Sequence, residues 1–189
     1  MPSWLIDRQE GEARARAIEW LVLDVDGVLT DGMLYTGPDG TELQAFHVHD
    51  GHGIRLWQRA GRHAAIISGR TSVAVERRSA DLGIARVYQG AKVKTEVFSS
   101  FLAEAGTTAA SVCYVGDEVL DIPLFRCAGL AVAVSDAVPE AIDAAHLVTL
   151  RRGGRGAVRE TVDFLLKLQG LWPAATMRYF GGNEPRSNQ

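Results

Sequence analysis

The stretch LVLDVDGVLTDG, residues 21 to 32, decides the fold of this chain. Its first residues are apolar and typical of a buried strand, and Asp24 and Asp26 follow within two positions of each other. Residues two apart in an extended chain point to the same side, so both carboxylates can face one site. Because like charges repel and resist burial, the pair predicts a cation between them.

Mg²⁺ is the cation that this pattern favours, because it binds hard oxygen ligands and keeps several of its waters. A calcium-binding loop is the main alternative for an Asp-x-Asp-Gly string. It is excluded because Val28 and Leu29 stand where that loop needs a ligand and a glycine, and because a strand leads into the segment. A solvated turn would explain one aspartate and the glycine, but not the pair.

Apolar strand-like segments alternate with helical patterns along the rest of the chain. This order predicts an α/β fold with a Rossmann-like parallel sheet flanked by helices. We expect one domain over residues 1–171 and a C-terminal tail over 172–189. The predicted strands are 20–25, 63–67, 86–88, 111–115, 130–134 and 146–149, and the predicted helices are 53–60, 71–82, 92–105, 118–127, 139–144 and 156–169.

One segment interrupts the alternation, at about residues 33–47. Two short alternating stretches flank Pro38-Asp39-Gly40, which predicts a β-hairpin inserted after the first strand.

Composition narrows the class of protein. A chain of 189 residues with 47% hydrophobic content can bury a full core, and a net charge of −3 gives no basic surface for nucleic acid. Cys113 and Cys127 have neither zinc-ligand spacing nor a disulfide pattern, which favours core packing in a reducing compartment. The first twenty residues lack the apolar core of a signal peptide and no later stretch is long enough to span a bilayer, so we expect a cytoplasmic protein with no membrane partner.

Polar groups follow three further predicted strands. These are Ser68-Gly69-Arg70, the lysine Lys94 in QGAKVK, and the aspartates of GDEVLD, Asp117 and Asp121. Taken singly, each has an ordinary explanation as a helix cap or a solvated side chain. Because the carboxyl ends of parallel strands share one edge of the sheet, together they gather carboxylates, a hydroxyl and an ammonium there. Phosphoryl transfer needs this set: a nucleophile, a cation for the phosphoryl oxygens, and an acid for the leaving alcohol.

These motifs, in this order, resemble the haloacid dehalogenase superfamily of phosphatases. More narrowly, ELQAFHVHDGHGI, YQGAKVK, YVGDEVLDIPLFRCAGLAVAVSDA and GGRGAVRE are similar to the 3-deoxy-D-manno-octulosonate 8-phosphate (KDO 8-phosphate) phosphatases, from about Trp20 to Leu171. The resemblance implies Mg²⁺-dependent hydrolysis of that sugar phosphate, for lipopolysaccharide synthesis, through an aspartyl phosphate.

The resemblance also implies a role for each motif residue. Asp24 would attack phosphorus, and Asp26 would protonate the departing sugar oxygen and then activate water. Ser68 and nearby amides would hold phosphoryl oxygens, while Lys94 would neutralise charge in the transition state. The metal would be held by the Asp24 carboxylate, the Asp26 carbonyl and Asp117. Asp121 would steady either the metal's waters or an adjacent amine.

Substrate-binding residues are predicted at Gly69, Arg70, His49 and Arg155. Arg155 lies in RRGGRGAVRE, where glycines and arginines open a helix that could bind the carboxylate or phosphate of an acid sugar, and a flexible turn is the alternative. The family usually has arginine where this chain has His49. A metal site built on His47 and His49 is the other reading of HVHDGHG, but no third ligand has the right spacing.

The spacing between motifs leaves no room for the separate cap domain that many members carry. An uncapped site implies that a neighbouring subunit supplies the lid, so we expect a homo-oligomer, a tetramer by resemblance, with the hairpin as contact. Two alternatives stay open. One is a phosphatase for nine-carbon acid sugar 9-phosphates, and the other is a non-catalytic oligomerisation module of the same fold.

Overall fold

The computed structural model describes residues 2–180. Seven strands form one sheet in the order β1-β9-β8-β7-β2-β5-β6, and β3 and β4 form a separate hairpin. All pairings in the large sheet are parallel except that of β1 with β9. The strands are β1 (Ser3–Trp4), β2 (Trp20–Leu23), β3 (Tyr35–Thr36), β4 (Glu42–Leu43), β5 (His63–Ile67), β6 (Arg86–Tyr88), β7 (Val112–Gly116), β8 (Leu130–Ala133) and β9 (Leu147–Val148).

Eight α-helices flank this sheet, so the predicted α/β fold is confirmed. Strands β2, β7 and β8 are buried along their whole length, as expected for central strands of a sheet covered on both faces. The helices are α1 (Arg8–Arg16), α2 (Val48–Arg59), α3 (Val73–Leu82), α4 (Lys94–Ala105), α5 (Ile122–Phe125), α6 (Pro139–Ala144), α7 (Ala157–Leu168) and α8 (Trp172–Thr176).

Helix α2 begins five residues before the predicted start at 53. The prediction was late because Gly51 and Gly53 disfavour a helix interior. Packing explains the glycines: a Cβ on Gly51 would collide with the Arg78 side chain, and one on Gly53 would press on the backbone of Arg159 in α7. The glycines therefore let α2 approach its neighbouring helices closely.

The first and last described segments also differ from the sequence-based expectation, which placed no element there. Helix α1 is capped by Asp7, whose carboxylate accepts from the Glu10 backbone N–H. Strand β1 pairs with β9 at the sheet edge, with Trp4 opposite Leu147. Within the predicted tail, residues 172–176 form α8, and residues 181–189 lie outside the described residues.

The inserted hairpin is present, and its turn closes through the Gly37 N–H bonded to the Thr41 carbonyl at 2.8 Å. Between residues 2 and 180 the chain carries no cap domain, only this hairpin. No helix in the same range is both long and apolar enough to cross a bilayer.

Candidate active site

Three neighbouring strands place the motif residues at one edge of the sheet. Asp24 follows β2, Ser68 follows β5 and Asp117 follows β7, and β2 lies between the other two strands. The strands are in register, with Leu23 opposite both Ile66 and Val115. The carboxyl ends of these strands are thus level, which places the three polar residues at the same edge of the sheet.

A buried lysine joins two of the aspartates. Lys94, the first residue of α4, lies with its Nζ 3.0 Å from Asp24 Oδ2 and 2.7 Å from Asp121 Oδ1. Tyr114 on β7 donates its hydroxyl to the same Asp121 oxygen at 2.7 Å. Burial alone would lower the pKa of Lys94, but the two carboxylates outweigh it and raise the pKa, so the ammonium stays charged.

Asp121 is fully enclosed and its acceptor capacity is used up. Oδ1 accepts from Lys94 and Tyr114, and Oδ2 accepts from the backbone N–H groups of Asp117 at 2.9 Å and Glu118 at 3.2 Å. A carboxylate has about four lone-pair sites, so none remains for a metal ligand. Of the two roles predicted for Asp121, this geometry favours support of the adjacent amine.

Asp117 has the opposite character, because its Oδ1 is buried and has no hydrogen-bond partner among the described residues. Desolvation, followed by the charges of Asp24 and Asp121, raises the pKa of Asp117 to about 8. Burial also raises the pKa of Asp24 to about 6, against the lowering effect of Lys94. Two carboxyl groups therefore resist ionisation in the protein alone.

The donor set fits a divalent cation. Oxygen atoms of Asp24, Asp117 and Asp121 lie within 4.8 Å of one another, and the Lys94 ammonium, which contacts Asp24 and Asp121, balances a single charge. The partnerless Asp117 oxygen supplies a hard ligand, as Mg²⁺ prefers. We infer that Asp24 and Asp117 are the side chains available to such an ion.

Two glycines make room for these carboxylates. Gly27 has φ of +81°, and a Cβ there would collide with Asp117 Oδ2. A Cβ on Gly116 would collide with Asp121 Oδ2. The glycine after the first pair of aspartates, which the sequence only marks as a turn, is thus required both by its backbone angle and by close approach.

Asp26 stands apart from the buried cluster and faces the hairpin. Its Oδ1 accepts from Gln44 Nε2 at 2.9 Å, and its Oδ2 lies 3.8 Å from Arg70 Nε. Arg70 also binds Glu42 through Nη2 at 2.8 Å, so this guanidinium bridges the hairpin and Asp26. Ser68 is buried, its Oγ accepting from the Arg70 backbone N–H at 3.3 Å, whereas Gly69 is exposed.

His49 and Arg155 lie elsewhere, in a cleft of about 620 Å³ along α7. None of the residues placed around Asp24 lines this cleft. Arg155 is tied to Asp31, on the loop that continues from Asp26, through Nη2 at 2.7 Å. The two predicted substrate-binding residues, His49 and Arg155, thus lie together in this cleft and not in the carboxylate cluster.

Two residues at the site were not singled out from the sequence. Tyr114 looked like one more apolar position of a strand, and Gln44 like a hairpin surface residue. Strand β7 is buried along its whole length, so no alternation in the sequence marks the face on which Tyr114 lies. No signal in the sequence marks Gln44 either.

Comparisons with known proteins identify the family of the chain. A family model described as haloacid dehalogenase-like hydrolase matches residues 83–158. The KDO 8-phosphate phosphatase of Escherichia coli K12 is 49% identical over 158 residues, which is 84% of each chain. The fold and the site thus define a hydrolase of the haloacid dehalogenase-like class.

Two solved structures are also similar over almost their whole length. The KDO 8-phosphate phosphatase of Yersinia pestis has a TM-score of 0.84 at 40% identity, covering 90% of this chain and 95% of that one. That of Moraxella catarrhalis, in complex with magnesium ion, phosphate ion and KDO, has a TM-score of 0.88 at 32% identity, covering 91% and 99%. The chain belongs to the family of KDO 8-phosphate phosphatases.

Proposed function

We propose that this chain hydrolyses KDO 8-phosphate to KDO and inorganic phosphate, in lipopolysaccharide biosynthesis, with Mg²⁺ as cofactor. One observation carries the proposal: Asp24 and Asp117, at the ends of β2 and β7, lie in one cluster with Lys94, the first residue of α4. Relatives of the chain bear the name of this activity. A buried carboxylate beside a fixed ammonium is a nucleophile next to a charge that can neutralise a phosphoryl oxygen.

In the first step, an oxygen of Asp24 attacks phosphorus while the bond from phosphorus to the sugar oxygen breaks. Asp26 gives its proton to that departing oxygen, so the sugar leaves as an alcohol and Asp24 becomes an aspartyl phosphate. In the second step, Asp26 takes a proton from water as the water attacks phosphorus. Phosphate leaves, and the Asp24 carboxylate and the Asp26 proton are restored.

Lys94 and Ser68 stabilise charge on the phosphoryl oxygens in both steps. Lys94 is held by two carboxylates and a phenol, so it is already oriented before the substrate arrives. The carboxylates of Asp24 and Asp117 and the carbonyl of Asp26 would hold Mg²⁺, which would neutralise charge on the attacking carboxylate and the phosphoryl group.

Recognition of the sugar acid is proposed for Gly69 and Arg70, which adjoin Ser68 and Asp26, and for His49 and Arg155. Support for Arg155 comes from its ion pair with Asp31, since this bond couples the cleft along α7 to the loop that carries Asp26.

The hairpin supports a homo-oligomer, for which we propose a cytoplasmic tetramer. Four apolar side chains on and beside it are 48–65% exposed, an apolar surface that a second copy would cover: Met33, Leu34, Tyr35 and Leu43. Sedimentation of the native chain and of Leu43→Lys tests this proposal. A native chain that sediments as a monomer contradicts it.

The activity is tested by phosphate release, with and without Mg²⁺, from KDO 8-phosphate and from a nine-carbon acid sugar 9-phosphate at equal concentrations. A metal-dependent preference for KDO 8-phosphate is expected. Preference for the nine-carbon substrate would keep the mechanism and reassign the substrate, and His49 in place of the usual arginine is the feature that would then be examined first. Release from neither would leave a non-catalytic module.

A further inference from the structure

The proposed acid, Asp26, is more exposed than the two aspartates that hold Lys94. Its side chain is 27% exposed, whereas those of Asp24 and Asp121 are 11% and 0% exposed. An exposed carboxylate samples several rotamers, and only one of them can aim a proton at the leaving oxygen. Some contact must therefore fix its orientation, because enclosure by its neighbours does not.

A chain of hydrogen bonds reaches Asp26 from the start of α3. The Ser72 hydroxyl caps that helix by accepting from the Ala74 N–H at 3.2 Å, and it lies 2.6 Å from Gln44 Oε1. Gln44 Nε2 in turn lies 2.9 Å from Asp26 Oδ1. Gln44 follows β4 directly, so the returning arm of the hairpin connects a helix cap to the acid.

The direction of each bond in this chain is set by chemistry. The Ser72 oxygen already accepts the cap N–H, so its proton is free to be donated to the Gln44 carbonyl. That contact turns the amide NH₂ group toward Asp26, where it donates to a carboxylate oxygen. When Asp26 is ionised, the reverse orientation would set the amide oxygen against a carboxylate oxygen, and repulsion between the two acceptors disfavours it.

We propose that Gln44 is a positioning residue for the acid and base function of Asp26. Its N–H binds Oδ1 at 2.9 Å and so holds the carboxyl group in one orientation, in which Gln44 makes no bond to Oδ2. This inference rests on the proposed function, because it assumes that Asp26 protonates the leaving group. The role assigned to Gln44 acts through the Asp26 carboxylate that it holds.

The dependence of rate on the leaving group separates positioning from a general structural defect. A sugar oxygen needs a proton to depart, whereas the p-nitrophenolate of p-nitrophenyl phosphate leaves as a stable anion. The ratio kcat/KM covers the steps up to departure of the alcohol. Loss of Asp26 orientation should therefore lower kcat/KM for KDO 8-phosphate while largely sparing p-nitrophenyl phosphate.

The experiment compares Gln44→Leu and Gln44→Glu with Gln58→Leu, a partly exposed glutamine on α2 that binds only the Gly83 carbonyl. Asp26→Asn calibrates the assay. For both Gln44 variants we expect kcat/KM for KDO 8-phosphate to fall about tenfold or more, and kcat/KM for p-nitrophenyl phosphate to fall less than about twofold, since general acid catalysis contributes about 100-fold or more. Gln58→Leu should behave as the native chain.

Equal losses on both substrates, or no loss, in the Gln44 variants would overturn the inference, provided that Asp26→Asn is selective. A change in subunit assembly would slow both substrates alike and so counts against it. If Asp26→Asn itself lowers both rates equally, the assignment of Asp26 as acid fails, and the role of Gln44 fails with it. Gln44 is partly exposed, so neither variant removes core packing.

Discussion

Mg²⁺ should bind this chain much more tightly at pH 8 than at pH 6. Asp117 has a pKa of about 8 and Asp24 a pKa of about 6, both raised chiefly by desolvation. A metal ligand must be ionised, so the cation displaces whatever proton these groups hold. Lowering the pH protonates both carboxylates and therefore opposes Mg²⁺ binding.

The size of the effect follows from the two pKa values. Between pH 8 and pH 6, protonation of Asp117 weakens binding about 50-fold and protonation of Asp24 about a further twofold, so the dissociation constant rises about 100-fold in all. At pH 7, where Asp117 is mostly protonated, close to one proton should be released for each Mg²⁺ bound.

Isothermal titration with MgCl₂ measures both quantities. The affinity is followed from pH 6 to pH 8, and proton release is obtained at pH 7 from two buffers of different ionisation enthalpy. Asp117→Asn should abolish binding, whereas Asp143→Asn, a change at an exposed carboxylate, should leave the pH dependence intact. An affinity that is constant between pH 6 and pH 8, with no proton released, would refute the reasoning.

The stability of the metal-free protein should change with pH in the opposite direction to its affinity for Mg²⁺. A carboxyl whose pKa is higher in the folded state than in the unfolded state binds more protons when folded, so the free energy of unfolding falls as the pH rises from about 4 to about 8. Adding Mg²⁺ should offset this loss. The increase in melting temperature on adding MgCl₂ should accordingly be larger at pH 8 than at pH 6.

Three substitutions test the rest of the site. Asp24→Asn should abolish phosphate release while leaving the circular dichroism spectrum of the native chain, because the nucleophile is lost but the amide keeps the shape of the side chain and Asp121 still pairs with Lys94; measurable turnover would contradict the covalent mechanism. Lys94→Met leaves buried carboxylates without their counter-charge, so it should lower the free energy of unfolding by about 3 kcal/mol. Urea titration measures this change. The control Lys92→Met, at an exposed lysine nearby, should change the free energy of unfolding little. Gly27→Ala and Gly61→Ala both place alanine at positive φ, but only the first meets a site carboxylate, so Mg²⁺ titration should detect lost affinity in the first alone.

The central sheet was predictable because its strands are short apolar runs bounded by glycine and polar residues. The carboxylate cluster was predictable for a related reason, since parallel strands bring their carboxyl ends to one edge whatever the loops do. The role of each residue in the cluster could not be predicted in the same way, because it depends on distances between side chains on different loops. Asp121 could have served a metal or an amine, and only the contacts of Lys94 and Tyr114 with its Oδ1 distinguish them.

The elements that were missed share a physical cause. Helix α2 contains glycines, which have a low helix propensity and therefore argued against a helix there. Close packing of α2 on α7 favours these glycines. Strand β1 has two residues, too few to produce any alternation in the sequence. Gln44 acts through partners 18 and 28 positions away, which no local pattern connects.

The pairing of β1 with β9 has a consequence for handling the protein. Ser3 and Trp4 cover the backbone of Val148 and Leu147, and the Leu5 N–H extends the cover to the His146 carbonyl at 2.9 Å. Without them, β9 would offer unpaired N–H and C=O groups to any passing strand, including β9 of another copy. A fusion or truncation that displaces these few residues therefore exposes β9 as an edge strand that can pair with other chains and aggregate. Turbidity of a concentrated solution would be the first sign of this aggregation.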